Sequence, residues 1–274
     1  MKLLLPFLLL AMSSSASAAD SADPPVVWNS PERDPFPGLV HGSFRSNAIG
    51  AEIGYNVYLP SGYAESDIRY PVIYFLHGSG GNENSDAAGF AGLVAKFIEQ
   101  GTISPVICVF PNGGPRSGYR DRPETKSMVE TMIVHELVPL IDRTYRTRAE
   151  RKARTIVGFS MGAGGAVRFA LKYPDHFSAA GAWAGAFTYR SRPENTLPAD
   201  YAVAALAPLA SHVRLLLIVG TNDLTLPSHT PFLANLLEAK FPFEFELLAD
   251  VEHDPGAYYT HSGEKMLRFL TASF

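Results

Sequence analysis

One cysteine, Cys108, occurs in 274 residues, so no internal disulfide can close and the core alone must hold the fold together. It lies in the apolar run 106–110, which reads as a buried strand and gives Cys108 a packing role. Charge is nearly balanced: 23 Lys and Arg against 27 Asp and Glu leave a formal net charge of -4. The basic residues are scattered rather than gathered into a stripe, which argues against nucleic acid as a partner. Metal-ligand spacing is missing, because no second histidine stands four residues after His135 in His135-Glu136 and no other His, Asp and Glu cluster has ligand spacing. There is no dinucleotide fingerprint and no Asn-x-Ser/Thr acceptor, so neither a cofactor nor N-glycosylation is expected.

Long apolar runs are absent beyond the first dozen residues. Lys2, the apolar stretch 3–12 and the small residues 13–19, ending Ala16-Ser17-Ala18-Ala19, have the three regions of a secretory signal peptide spanning residues 1–19. About ten apolar residues are too few for a membrane span, which needs about 20. A secreted or periplasmic protein without stable membrane insertion is therefore expected. Residues 20–38 hold five prolines and no periodic pattern, which suggests an extended segment lying on a domain formed by residues 39–274.

What the chain does have is apolar content, 46% of its residues, enough for one large core. Short apolar runs at 72–76, 105–110, 155–157, 179–183 and 213–219, with an alternating one at 243–248, read as strands. Helical patterns lie among them at 87–100, 128–145, 161–172, 231–240 and 264–271. In the second, Val129, Met132, Ile133, Leu137, Leu140 and Ile141 form one stripe. Strand and helix alternate, so an α/β fold with a mostly parallel sheet of about eight strands follows, with 42–46 and 51–59 as antiparallel edge strands.

Gly158-Phe159-Ser160-Met161-Gly162 sits between the strand run ending at Val157 and the helical pattern that follows. A strand-to-helix turn this sharp leaves no room for side chains two residues either side of the serine, hence the glycines and an exposed hydroxyl. Ser160 is the candidate nucleophile. It needs a histidine to take its proton and a carboxylate to fix that histidine's tautomer. Asp223, just beyond an apolar strand, and His253, in the loop after the next strand, fit at the carboxyl ends of the sheet, where such groups gather. Asp250 and Asp254 compete with the first, and His261, then His229, with the second. His135, His176 and His212 read as surface residues. Attack on a carbonyl also needs two oriented N–H groups: Met161 supplies one, and the loop His77-Gly78-Ser79-Gly80-Gly81 the other, from Ser79, with Gly78 and Gly80 as alternatives. His77 reads as a loop brace. Tyr119, Trp183, Tyr258 and Tyr259 fall on loops at the same rim and could form an aromatic wall for a phenolic acyl group, while residues 185–211 could cap the pocket.

With Phe75-Leu76-His77-Gly78-Ser79-Gly80-Gly81-Asn82-Glu83-Asn84, Phe110-Pro111-Asn112-Gly113-Gly114, the segment 137–145 and the Ser160 motif, the chain resembles the α/β-hydrolase esterases of the group that contains esterase D, feruloyl esterases and mycolyltransferases. The likeness runs from about Gly50 to the C-terminus. It implies Ser160 as nucleophile, Asp223 as orienting acid, His253 as base and Ser79 as oxyanion donor. Relatives often carry glycine before the last histidine, where this chain has Val251-Glu252. The expected function is a secreted serine carboxylesterase acting on short-chain or feruloyl-type esters, free or linked to a polysaccharide. Acetyl xylan hydrolysis and mycolyl-type acyl transfer are the alternatives, the latter disfavoured because no extended apolar insertion is visible. Oligomeric state is not legible.

Overall fold

The computed structural model describes residues 25–31, 35–188, 207–209 and 212–274. The expected signal peptide, and all of the expected cap 185–211 but residues 185–188 and 207–209, fall outside them.

An eight-stranded sheet forms the centre: β1 (Leu39–Arg45), β2 (Glu52–Tyr58), β3 (Val72–Leu76), β4 (Ile107–Pro111), β7 (Arg154–Phe159), β8 (Ala179–Trp183), β9 (Arg214–Gly220) and β10 (Glu244–Leu248), in spatial order β1-β2-β4-β3-β7-β8-β9-β10. A two-stranded hairpin, β5 (Asp121–Arg122) and β6 (Ser127–Met128), stands apart from it. β1, β2 and β4 pair antiparallel, and β4 through β10 run parallel. This is the α/β-hydrolase architecture expected from the alternation of strand and helix.

Parallel strands must be covered on both faces, which explains their uninterrupted apolar runs. Side chains alternate between two cores. Tyr74, Leu76, Val109 and Leu217 face one core, shared with α2 (Val129–Thr131), α3 (Val138–Thr144), α4 (Met161–Lys172) and α5 (Leu226–Glu238). Ile73, Phe75, Cys108 and Ile218 face the other, shared with α1 (Ala87–Glu99) and α6 (Pro255–Thr271). Cys108 is fully buried, and burial pushes its thiol pKa up.

Three helices differ from the sequence reading. The single helix expected over 128–145 is interrupted by a π-helical turn, Met132–Leu137, between α2 and α3. Pro139 follows that turn in the first turn of α3, and its lack of an N–H breaks the regular ladder there. α5 starts at Leu226, five residues early, because Pro227 occupies the first turn, where an N–H has no partner anyway. α6 starts at Pro255, nine residues early. Asp254 caps it by accepting a hydrogen bond from the Ala257 N–H at 2.8 Å.

α2 is tied to α4 by a buried charge cluster. Glu130, 3% exposed, accepts from Arg168, from Lys172 at 2.6 Å and from the Tyr173 hydroxyl. Burial alone would raise the Glu130 pKa, but the bonds from Lys172, Tyr173 and Arg168 bring it from 4.5 down to about 2. A carboxyl depressed in the folded state contributes stability above its ordinary pKa and loses that contribution as pH falls through the folded value. Acid titration followed by circular dichroism should show stability falling between about pH 4.5 and about 2. Glu130→Ala would remove the carboxylate that Arg168, Lys172 and Tyr173 share, so urea unfolding at pH 7 should show a loss of about 3–5 kcal/mol.

Candidate active site

β7 ends at Phe159 and α4 begins at Met161, which leaves Ser160 alone in the turn. Its backbone takes φ 55 and ψ -116, a strained conformation for a side chain bearing a Cβ. Three backbone bonds hold it there: Ser160 N–H to the Trp183 carbonyl at 2.9 Å, and the Ser160 carbonyl to the N–H groups of Gly164 at 3.2 Å and Ala186 at 3.1 Å. The flanking glycines are sterically required. A Cβ on Gly158 would lie 2.4 Å from the Gly162 carbonyl carbon, and one on Gly162 would lie 1.9 Å from the Leu76 carbonyl oxygen.

The register of the parallel strands aligns their carboxyl ends: Leu76 pairs with Gly158, Phe159 with Trp183, Trp183 with Ile218, and Gly220 with Leu248. Loops leaving those ends converge. His253 Nε2 lies 3.0 Å from Ser160 Oγ, and its Nδ1 lies 3.0 and 2.9 Å from the two carboxylate oxygens of Asp223. A carboxylate only accepts, so Nδ1 carries a proton and Nε2 faces the hydroxyl as an acceptor. The Phe159 ring lies against the imidazole, centroids 4.6 Å apart.

Asp223 is buried and well supplied with donors. It accepts from the Thr225 N–H at 2.7 Å, the Thr225 hydroxyl at 2.6 Å and the Tyr258 hydroxyl at 2.7 Å, besides His253. Burial would raise its pKa, yet the bonds from His253, Thr225 and Tyr258 lower it from 3.8 to about 2. It is therefore an anion at neutral pH. Tyr258 is pushed the other way by burial and by that anion, so it stays a donor.

The rivals lie elsewhere. His261 is exposed on α6, Asp254 caps that helix, and Asp250 is exposed. His229 is buried with Nδ1 3.1 Å from the Thr225 carbonyl.

His77 braces two loops at once. Its Nδ1 donates to the Gly78 carbonyl at 2.8 Å, its Nε2 accepts from the Gly113 N–H at 3.0 Å, and burial lowers its pKa to about 4. A neutral ring with both nitrogens engaged is no base. Gly80 N–H is taken by the Pro115 carbonyl at 2.7 Å, which removes one of the alternatives to Ser79. Ser79, Ser160 and Met161 line one cleft of about 510 Å³, together with Phe187, Leu224 and Thr225.

The aromatic wall is not where the sequence suggested. Tyr119, Trp183 and Tyr258 are all 0% exposed. Their polar atoms point inward, Tyr119 to the His77 carbonyl at 3.0 Å, Trp183 to Ser262 at 2.9 Å and Tyr258 to Asp223. Tyr259 packs on Trp183, centroids 5.3 Å apart. A loop aromatic next to a strand end has two destinations, cleft or underside of the site, and these rings take the second. Two supports of Asp223 lie outside the sequence pattern: Thr225, and Tyr258 as a donor to the carboxylate rather than a wall of the cleft. Threonine two residues after an aspartate is a turn signal that could have flagged the first.

With this geometry in view, the likeness to known proteins has a physical basis. A family model described as "Putative esterase" matches residues 46–265. The chain belongs to that esterase family. An esterase of Mycobacterium tuberculosis is 35% identical over 158 residues, 56% of this chain and 34% of that protein. An endo-1,4-beta-xylanase/feruloyl esterase of Xylanibacter ruminicola is 34% identical over 148 residues, 49% of this chain and 20% of that protein. The chain thus spans about a third or less of the length of these curated relatives. Among solved structures, a ferulic acid esterase superposes with a TM-score of 0.76 at 25% identity, covering 86% of this chain and 98% of that one. An S-formylglutathione hydrolase from Agrobacterium tumefaciens shares the fold, with a TM-score of 0.68, 18% identity and coverage of 88% and 98%.

Removing the Tyr258 hydroxyl tests how far this esterase-family site depends on its supporting bonds. Tyr258→Phe takes one donor from Asp223 and leaves the Gly220 N–H, which now donates to Tyr258 at 2.8 Å, without a partner. Chemical denaturation should report a loss of about 1.5–3 kcal/mol.

Proposed function

We propose that the protein is an exported carboxylic-ester hydrolase that works through an acyl-enzyme on Ser160. The observation that carries this reading is the unbroken chain of short contacts from Ser160 Oγ to His253 to Asp223, beside Ser79 and Met161, which line the same cleft. Family membership and the ferulic acid esterase likeness support it.

In the proposed cycle Ser160 Oγ attacks the ester carbonyl carbon as its proton passes to His253 Nε2. Negative charge gathers on the former carbonyl oxygen, where the N–H groups of Ser79 and Met161 stabilise it; one such donor is worth about 10²–10³ in rate. The ester C–O bond then breaks, and the leaving alcohol takes the proton from His253. Water attacks the acyl-enzyme with His253 again as base, and the acid leaves as Ser160 regains its proton. Asp223 remains ionised throughout, holding the ring tautomer and offsetting the imidazolium charge.

Short acyl groups fit a cleft of about 510 Å³ better than a long acyl chain does, which favours hydrolysis of short-chain or feruloyl-type esters over mycolyl transfer. The feruloyl reading rests on the names of relatives and of the similar structure. Acetylated xylan is the alternative substrate. Export rests on the first 19 residues. No helix of the described residues is long and apolar enough to cross a membrane.

Ser160→Ala should lower hydrolysis of p-nitrophenyl acetate by at least about 10⁴-fold with the fold intact; retained turnover would refute the mechanism. A series from p-nitrophenyl acetate to decanoate, run beside methyl ferulate and acetylated xylan, should show kcat/KM falling steeply with chain length. Free acid should exceed transfer product when a sugar acceptor is added. Dominant transfer product would make the protein an acyltransferase.

A further inference from the structure

A second cavity of about 580 Å³ adjoins the cleft and shares Arg116 and Arg122 with it. Gly80, next to the oxyanion residue Ser79, belongs to its wall. The N-terminal segment adds Val26 and Trp28 to the lining, together with Ile49.

That segment is pinned at several points. The Trp28 carbonyl accepts from the Gly54 N–H at 2.7 Å, and the Val27 carbonyl from Asn112 Nδ2 at 3.1 Å. The Ser30 N–H donates to Glu83, a fully buried carboxylate that also accepts from Asn112 at 2.6 Å. The half-buried indole of Trp28 lies against Gly114, where a Cβ would meet the ring carbon Cη2 at 3.0 Å. A buried carboxylate is costly to keep without partners, and here it fixes the piece of chain that presents this ring.

The rim is basic. Arg122 and Lys126 are exposed on the β5–β6 hairpin and line the cavity with Arg116. No Asp or Glu lines it among the described residues. Glu124, on the same hairpin, is exposed but is not part of the wall, and Asp121 is bonded to Thr131 at 2.6 Å.

We propose that this cavity is a subsite for a ring bearing a carboxylate, carried by the ester whose carbonyl sits at Ser160. The proposal rests on the hydrolase reading above and names its substrate class. A flat apolar face suits Trp28, and a guanidinium fork matches a carboxylate in shape as well as charge. A feruloyl group has no such charge at neutral pH, so the subsite selects something the family resemblance does not imply. Aryl carboxylates and uronic acids share the required chemistry.

The test compares three pairs of esters: p-acetoxybenzoate with its methyl ester, the p-nitrophenyl monoester of terephthalate with its methyl ester, and an acetylated methyl glucuronoside with the matching glucoside. The first and second put the ring on the alcohol and acyl sides; the third replaces an aryl ring by a sugar. In at least one pair the anionic member should have a kcat/KM about tenfold higher at low ionic strength, expressed in KM and shrinking with added salt. In Arg122→Gln combined with Lys126→Asn, both exposed positions, that ratio should fall to near one, and Trp28→Leu should raise KM for both members of the preferred pair. The subsite is overturned by a ratio near one in every wild-type pair while p-nitrophenyl acetate is turned over, or by a ratio that survives the double variant. Failure of the wild type to turn over p-nitrophenyl acetate would bring down the hydrolase reading, and the subsite with it.

Discussion

Helix α4 starts almost in van der Waals overlap with the end of β3: the Leu76 carbonyl oxygen occupies the space that a side chain at position 162 would need. This single approach sets the geometry of everything around it. It brings the first turn of α4, with the Met161 N–H, beside the loop that leaves β3 with Ser79. It also forces Ser160 into its strained turn, with the hydroxyl projecting from the rim. The strain is of the order of 1–3 kcal/mol, and the bonds from Ser160 to Trp183, Gly164 and Ala186 spread its support over β8, the loop that follows it and α4.

Around that turn, polarity is arranged in tiers. Asp223 is buried, ionised and bonded on both oxygens, so His253 has one favourable orientation. Beneath the loop that carries Ser79, His77 joins Gly78 to Gly113, and Glu83 joins the loop to Asn112 and Ser30. Each of these groups costs desolvation energy and recovers it only with all partners in place. A site built this way is rigid before substrate arrives, which is the condition for electrostatic stabilisation of a transient charge.

Much of this was legible in the sequence because it is local. Strands 72–76 and 179–183 and helix 161–172 have the bounds read from apolar runs, since strands covered on both faces carry a signal in every residue. Ser160, Asp223 and His253 were found from position relative to strand ends, and the structure brings them together. What failed depended on side-chain direction or on proline. Whether Tyr119, Trp183 and Tyr258 face the cleft or underpin it is decided by packing across 30 residues or more of sequence, which no local pattern records. Pro231 reads as a helix start, but α5 already runs through it from Leu226. Asp254-Pro255 is a start signal of the ordinary kind, masked in the sequence because the apolar periodicity strengthens only later in α6.

The order of the site along the chain has a consequence for synthesis. Ser79 and Ser160 lie in the first 160 residues, whereas His253 precedes α6, the last helix, which must dock beside α1 and β8 before the loop it anchors is fixed. On the proposed mechanism, a chain that ends before residue 253 would carry a nucleophile with no base to activate it. The Ser160–His253 contact, 93 positions apart in the chain, therefore depends on the seating of that last helix.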